Sequence, residues 1–195
     1  MPWPAARTLG GGGLVNSGPA ACEAFTALTR TWNLPTTLTL MRLGAFPGSD
    51  PRFLGMLGTL EANLAMHRAD HVICIGGRFD DRVTGRLADF FPGARKIHVD
   101  IHPENIGKVV PVDVGLAVDC EQVLLAPDAQ LAALARAPAG ALDDWWARID
   151  QWRARDCLAF TPATDSIRPT CEAQRDRLHR RRPASDVGGA VPALR

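Results

Sequence analysis

The feature that most constrains this chain is the apolar run Val72-Ile73-Cys74-Ile75, which ends in Gly76-Gly77 and opens onto a charged loop. A short, uninterrupted apolar run of this kind reads as a strand buried on both faces of a parallel sheet. Such a strand delivers its loop to the carboxyl edge of the sheet, where α/β folds bind ligands. That loop places Arg78, Asp80, Asp81 and Arg82 within five positions. Guanidinium groups suit phosphates or a planar ring. Carboxylates accept from ligand N–H and O–H groups, or from the arginines themselves. Two readings stay open here, a ligand loop and an internal Arg–Asp ladder that merely pins the turn.

The rest of the chain repeats the alternation of strand and helix. Gly10 to Gly13 form a glycine run, and Pro19 opens an apolar-periodic segment through Trp32, with proline at the first helical turn. Residues 34–40 (LPTTLTL) read as a strand and residues 41–58 as a loop. A helix is expected over residues 59–68, with Thr59 as its N-cap. Strands are expected over 71–75, 96–101 and, more weakly, 112–118, with Asp119 as a cap for the segment after it. Residues 128–136 and 142–158 read as helices, the latter carrying Trp145, Trp146 and Trp152. This pattern predicts an α/β fold: a three-layer, Rossmann-like parallel sheet with helices on both faces. The ends depart from it. Residues 1–9 (MPWPAARTL) hold two prolines and almost no apolar run, so they are expected to be irregular, without the first strand. The end of the chain carries five arginines between Arg175 and Arg182 and no core pattern.

Bulk properties narrow the function classes. At 195 residues, 46% hydrophobic and 22% charged, the chain suits one globular domain plus tails. No run approaches the roughly 20 apolar residues of a membrane span. The N-terminus lacks the apolar core of a secretory signal, so a cytoplasmic location is expected. A net charge of +1 argues against a nucleic-acid binder. The five cysteines form no C-x-x-C pair and read as reduced thiols. His98 and His102 sit about 13 Å apart along a strand, too far to share an ion. Only Lys96 and Lys108 are lysines among 22 basic residues, and tyrosine is absent.

Glycines leading into a helix start let backbone N–H groups approach a diphosphate. The run at Gly10 to Gly13 is not a G-x-G-x-x-G fingerprint, and a tight turn remains the alternative. Asp100 sits where an α/β fold commonly sets an acid against a ribose, or it is a turn residue before Pro103. Asp119 invites the same two readings. No residue stands out as nucleophile, general base or metal ligand, so a binding domain is expected, with no catalytic and no metal residues.

The segments GGGLVNSGPA, PTTLTLMRLGAFPG, RFLGMLG, EANLAMHRAD, GGRFDDRVTGRLADFFPGARKIHVDIHPENIGKVVPVDV and FTPATDSIRP follow one another along the chain. In that order they resemble the central domain of acetolactate synthase catalytic subunits, from about Gly10 to Pro169. The resemblance implies a thiamine-diphosphate family that condenses pyruvate with pyruvate or 2-oxobutyrate, using Mg²⁺ and a structural FAD, in branched-chain amino acid biosynthesis. It implies a middle domain that holds FAD and packs two thiamine-diphosphate domains together. Those two domains are not recognised in this sequence, so the chain is expected to be a fragment, inactive alone. FAD contacts carried over by motif fall on Gly11, Gly12, Gly13, Thr39, Leu40, Leu57, Gly58, Gly76, Gly77, Arg78, Asp80, Arg82, Val83, Asp100, Ile101, Asn105, Asp119 and Cys120. Family partners would be further catalytic subunits and a small regulatory subunit. The expected organisation is an irregular 1–9, an FAD-binding domain over 10–160, and a linker with a disordered Arg-rich tail over 161–195.

Three departures accompany the resemblance. Gly58 runs straight into Thr59, so a family M-H-G turn on the flavin side is missing. Arg42 replaces a glycine of the family's T-L-M-G-L-G, adding bulk and charge beside the same flavin pocket. The first strand is expected to be absent. Alternative readings are a stand-alone dinucleotide-binding or interaction module, and a gene remnant with both ends out of frame.

Overall fold

The computed structural model describes residues 6–10, 16–126 and 140–156. Within them one sheet contains β1 (Ala6–Gly10), β2 (Thr36–Leu38), β3 (Phe53–Met56), β4 (His71–Ile75), β5 (Arg95–Asp100) and β6 (Val114–Ala117). The strand order is β3-β2-β1-β4-β5-β6, and every ladder is parallel. The α-helices are α1 (Pro19–Thr31), α2 (Leu60–His67), α3 (Asp81–Thr84), α4 (Cys120–Leu124) and α5 (Asp143–Arg153). The chain runs outward from β1 through β2 to β3, then returns to β4 on the other side of β1. That reversal is the topological switch point of an open α/β sheet, the place where ligands bind.

Alternation along β4 explains the layers. Val72 and Cys74 pack with Met66 of α2 and with Phe79, Phe90 and Phe91. Ile75 faces the other way, into a core with Ala21 and Phe25 of α1, Leu38, Val99, and Cys120 and Leu124 of α4. Helix α1 starts after Gly18, whose φ of 97° suits glycine, with Pro19 in its first turn. Its buried stripe is Ala21, Phe25 and Thr29, one residue per turn. Helix α5 buries Trp145, Ile149 and Trp152 against Leu34, Leu54, Ala62 and Ala65. The Trp146 indole donates to the Asn33 carbonyl at 3.0 Å. Arg153 donates to the carbonyls of Pro51 and Phe53, at the start of the edge strand β3.

Two expectations are corrected. The sequence pattern makes residues 1–9 irregular, without a first strand; residues 6–10 instead form β1, at the centre of the sheet. Ala6 to Gly10 lie opposite His71 to Ile75, and Thr8 to Gly10 lie opposite Thr36 to Leu38. Two neighbouring backbones supply this strand's pairing, so a run as polar as ARTLG is recruited without an apolar pattern of its own. Residues 41–58 read as a loop in sequence, yet Phe53–Met56 form β3, with Phe53 and Leu54 buried. Gly55, at φ 90°, and a register irregularity against β2 hide the strand from a pattern search. Thr59 does precede α2, but its hydroxyl makes no cap. It donates instead to the carbonyls of Leu54 and Met56 at 3.0 and 3.2 Å, tying β3 to the helix. The glycines at 11–13, the helix expected over 128–136 and the Arg-rich tail lie outside the described residues.

Candidate functional site

A cleft of about 710 Å³ opens at the carboxyl edge of the sheet, across the switch point. Its volume falls within the range of roughly 300–1,000 Å³ usual for small-molecule sites. Gly76 and Arg78 reach it from the loop after β4, and Asp100, Ile101 and Asn105 from the end of β5. Asp119 and Cys120 enter from the turn after β6, Asn16 and Ser17 from the turn before α1, and Arg42 from the turn after β2.

The loop after β4 is pinned from below. The Gly76 N–H donates to the Val99 carbonyl at 2.8 Å, with Gly76 in the left-handed region at φ 68°. The Gly77 carbonyl accepts from the His98 ring nitrogen Nε2 at 2.6 Å and from the Cys74 thiol at 3.4 Å. Burial pushes the His98 pKa below its ordinary value, which keeps the ring neutral and matches an Nε2–H donor. Burial likewise pushes the Cys74 thiol far up, so it stays a donor. Phe79 then takes a left-handed φ of 55°, unusual for a non-glycine. Its ring is driven inward, edge-on to Phe90 and His98 with centroids at 5.7 and 4.8 Å. That anchor leaves Arg78 pointing outward, 71% exposed.

The Arg–Asp ladder contracts to one loose pair, Arg78 to Asp80 at 3.9 Å. Asp80 caps α3, accepting from the Val83 N–H, while Arg82 is exposed on that helix. Val83 and Leu57 pack on the Phe79 core. Gly58 donates its N–H to the Asn63 side chain at 3.0 Å. Thr39 leads into the turn Leu40–Arg42, and Leu40 is 63% exposed. Of the expected contacts, Thr39, Leu40, Leu57, Gly58, Gly77, Asp80, Arg82 and Val83 are not on the cleft lining.

Both acids make local hydrogen bonds and also line the cleft. Asp100 is buried, and its Oδ1 accepts from the His102 N–H at 2.8 Å and the Asn105 amide at 3.1 Å. It organises the turn before Pro103 while facing the cleft. Asp119 caps α4 through the Glu121 N–H at 2.8 Å and also lines the cleft. Burial, and then the charges of Asp119 and Asp100, push the Cys120 thiol up to about 11, against a hydrogen bond from Ser17 that lowers it. Cys120 is therefore a neutral wall of the site.

Comparison with known proteins now decides the family. Residues 8–126 match the family model described as "Thiamine pyrophosphate enzyme, central domain". The chain belongs to this family. Similar proteins include the acetolactate synthase isozyme 3 large subunit of Escherichia coli (strain K12), 40% identical over 166 residues, 82% of this chain and 28% of that protein. The acetolactate synthase large subunit of Haemophilus influenzae is 42% identical over 163 residues, with the same shares. The chloroplastic acetolactate synthase 1 of Zea mays is 37% identical over 162 residues, 82% of this chain and 25% of that protein. The chain thus spans little more than a quarter of the length of these relatives.

In this thiamine pyrophosphate enzyme central domain, five cleft-lining residues are absent from the contacts expected from sequence: Asn16, Ser17, Arg42, His102 and Glu104. Asn16 and Ser17 lie between a glycine run and a helix start, the position from which a polar side chain reaches a ligand. His102 and Glu104 give no such signal; they arrive with the turn that Asp100 organises. Among the described residues no cluster of three metal-ligating side chains occurs, and no helix is long and apolar enough to cross a membrane.

Proposed function

We propose that this domain holds FAD at the cleft, as the central domain of an acetolactate synthase catalytic subunit. The observation that carries the reading is the convergence of Gly76, Arg78, Asp100, Asn105, Asp119 and Cys120 on one cleft at the switch point. The donor set fits a dinucleotide. Arg42 and Arg78 offer cations for a diphosphate, and the oxygen of Asp100 not engaged by the turn offers an acceptor for a ribose hydroxyl. Arg42 forms no ion pair among the described residues, so its cation is free to meet a ligand oxyanion. Exposed Leu40 and Met41, beside Arg42, give the rim an apolar surface suited to a planar ring. FAD held there supplies a structural filler of the cleft, and the chain's own residues bind and orient it.

The relatives' names support extending the activity to the full enzyme: condensation of two pyruvates, or of pyruvate with 2-oxobutyrate, with thiamine diphosphate and Mg²⁺ bound outside this domain. Names such as "large subunit" support assembly with further copies and with a smaller regulatory subunit. A cytoplasmic location goes with this reading. The central domain holds and bridges, and the 195-residue chain by itself is inactive. The test is purification of the full chain with FAD, followed by absorbance at flavin wavelengths and titration calorimetry. Stoichiometric flavin supports the reading; no binding at millimolar FAD overturns it. Acetolactate formation from pyruvate by this chain alone, with thiamine diphosphate and Mg²⁺, would overturn the assigned inactivity.

A further inference from the structure

The cleft is electrically divided along the sheet edge. Its acids, Asp100, Glu104 and Asp119, come from the turns after β5 and β6. Its two guanidinium groups come from the opposite side of the switch point and from its centre, Arg42 after β2 and Arg78 after β4. The two arginines differ. Arg78 is mostly exposed and has Asp80 at 3.9 Å. Arg42 is half-buried, forms no ion pair within the described residues, and carries a buried Nε–H without an acceptor. Backbone bonds hold its turn, with the Arg42 N–H donating to Thr39 at 2.9 Å and its carbonyl accepting from Ala45 at 3.0 Å. Ala45 and Phe46 of that turn are buried in the α1 core, so the site of the guanidinium is set by packing.

A planar cation at a cleft wall with no carboxylate partner is suited to an oxyanion, because the guanidinium fork matches phosphate oxygens. We infer that Arg42 holds the phosphate or diphosphate of the ligand that fills the cleft, so that the site selects phosphorylated ligands over their dephosphorylated forms. The acids over β5 and β6 repel the same group, which confines it to the β1–β2–β4 side and leaves hydroxyl groups for Asp100. The inference rests on the reading of the cleft as a cofactor site, and it concerns a residue where the family resemblance sets a glycine.

The experiment measures ligand-induced shifts in melting temperature, and calorimetric affinities, on the full chain. ADP, inorganic pyrophosphate and adenosine are the probes, with wild type, Arg42→Gln and Arg42→Lys compared. Losing a charge-assisted hydrogen bond lowers affinity by about tenfold or more. ADP and pyrophosphate are therefore expected to bind Arg42→Gln at least about tenfold more weakly than wild type, Arg42→Lys in between, and adenosine equally to all three. Pyrophosphate is also expected to protect Arg42 of the wild-type chain from phenylglyoxal, read by peptide mass mapping. Equal ADP affinity in wild type and Arg42→Gln, or unprotected Arg42, overturns the inference while leaving FAD binding open. Absence of ADP and pyrophosphate binding to wild type overturns it too. Arg42-dependent pyrophosphate binding without FAD binding would uphold it and remove the FAD reading.

Discussion

Asp100 offers the sharpest separation between holding a turn and holding a ligand. Its buried Oδ1 takes two donors, the His102 N–H and the Asn105 amide. Asp100→Asn preserves that oxygen and turns the other into an NH₂ group, which cannot accept from a hydroxyl. Asp100→Ala removes both. A hydrogen bond to a charged acceptor contributes about 1.5–3 kcal/mol, so Asp100→Asn should weaken FAD by roughly 10- to 100-fold in Kd. Its melting temperature should stay near wild type. In Asp100→Ala two donors lose their acceptor; both sit on a turn that water reaches, so the lower end of the penalty applies, about 1 kcal/mol each. For a domain of this size about 2 kcal/mol corresponds to a fall of roughly 4–8 °C. Charge supplies a third readout. Asp100 helps hold the Cys120 thiol protonated, so Asp100→Asn should lower the pH at which Cys120 becomes reactive. Calorimetry, thermal melts and mass-mapped alkylation supply the three measurements. Wild-type FAD affinity in Asp100→Asn, or equal melting of the two variants, would refute the division of labour between the two oxygens.

Asp50 joins α1 to the approach of β3, accepting from Arg30 at 2.7 Å and from the Arg52 backbone and side chain at 2.9 and 3.2 Å. Burial alone would raise its pKa, but these donors outweigh burial and hold it below the ordinary carboxylate value. Its contribution to stability is thus present above the unfolded pKa of about 3.9 and lost as pH falls through the lower folded value. Asp50→Asn should cost about 1–2 kcal/mol at pH 7, discounted because Arg30 is half exposed, and the gap to wild type should narrow in urea melts as pH falls below about 3.9. Cys120, with its thiol pushed up to about 11, should alkylate at pH 8 on the order of 100-fold more slowly in the folded than in the unfolded chain. Peptide mapping after iodoacetamide treatment checks this, and comparable rates would mean the thiol is not enclosed.

Legibility from sequence tracks how far each element depends on its own side chains. β4 is readable because VICI is an unbroken apolar run ending in two glycines, with Val72, Cys74 and Ile75 buried. α1 is readable because proline marks its start and Phe25 sits on a helical stripe. β1 is not, since a central strand's hydrogen bonds come from β2 and β4, and ARTLG need only not obstruct them. β3 is hidden by Gly55 and by its brevity. The site shows the same division. Residues at strand ends, such as Gly76, Asp100 and Asp119, can be found because topology sends strand ends to one edge. Leu57, Gly58 and Val83 are carried over by motif alone, and Arg82 is also read from the charge of its loop; none of the four is on the cleft lining. Arg42 stands out in sequence as a departure that adds charge beside the pocket, and the fold places it on the cleft lining without an ion pair among the described residues.

Helix α5 carries a consequence for where this folding unit stops. The family match closes at residue 126, yet Trp145, Ile149 and Trp152 fill the space beside β3 and α2, and Arg153 binds carbonyls at the edge strand. An uncovered outer strand is a template for pairing with other chains. The helix beyond residue 126 therefore shields the β3 end of the sheet, with tryptophan packing on Leu54 and a guanidinium on the Pro51 and Phe53 carbonyls. The family model and the folding unit end at different places here, one helix apart, and a chain cut at residue 126 would present Leu34, Leu54 and Ala62 to solvent as a sticky seam.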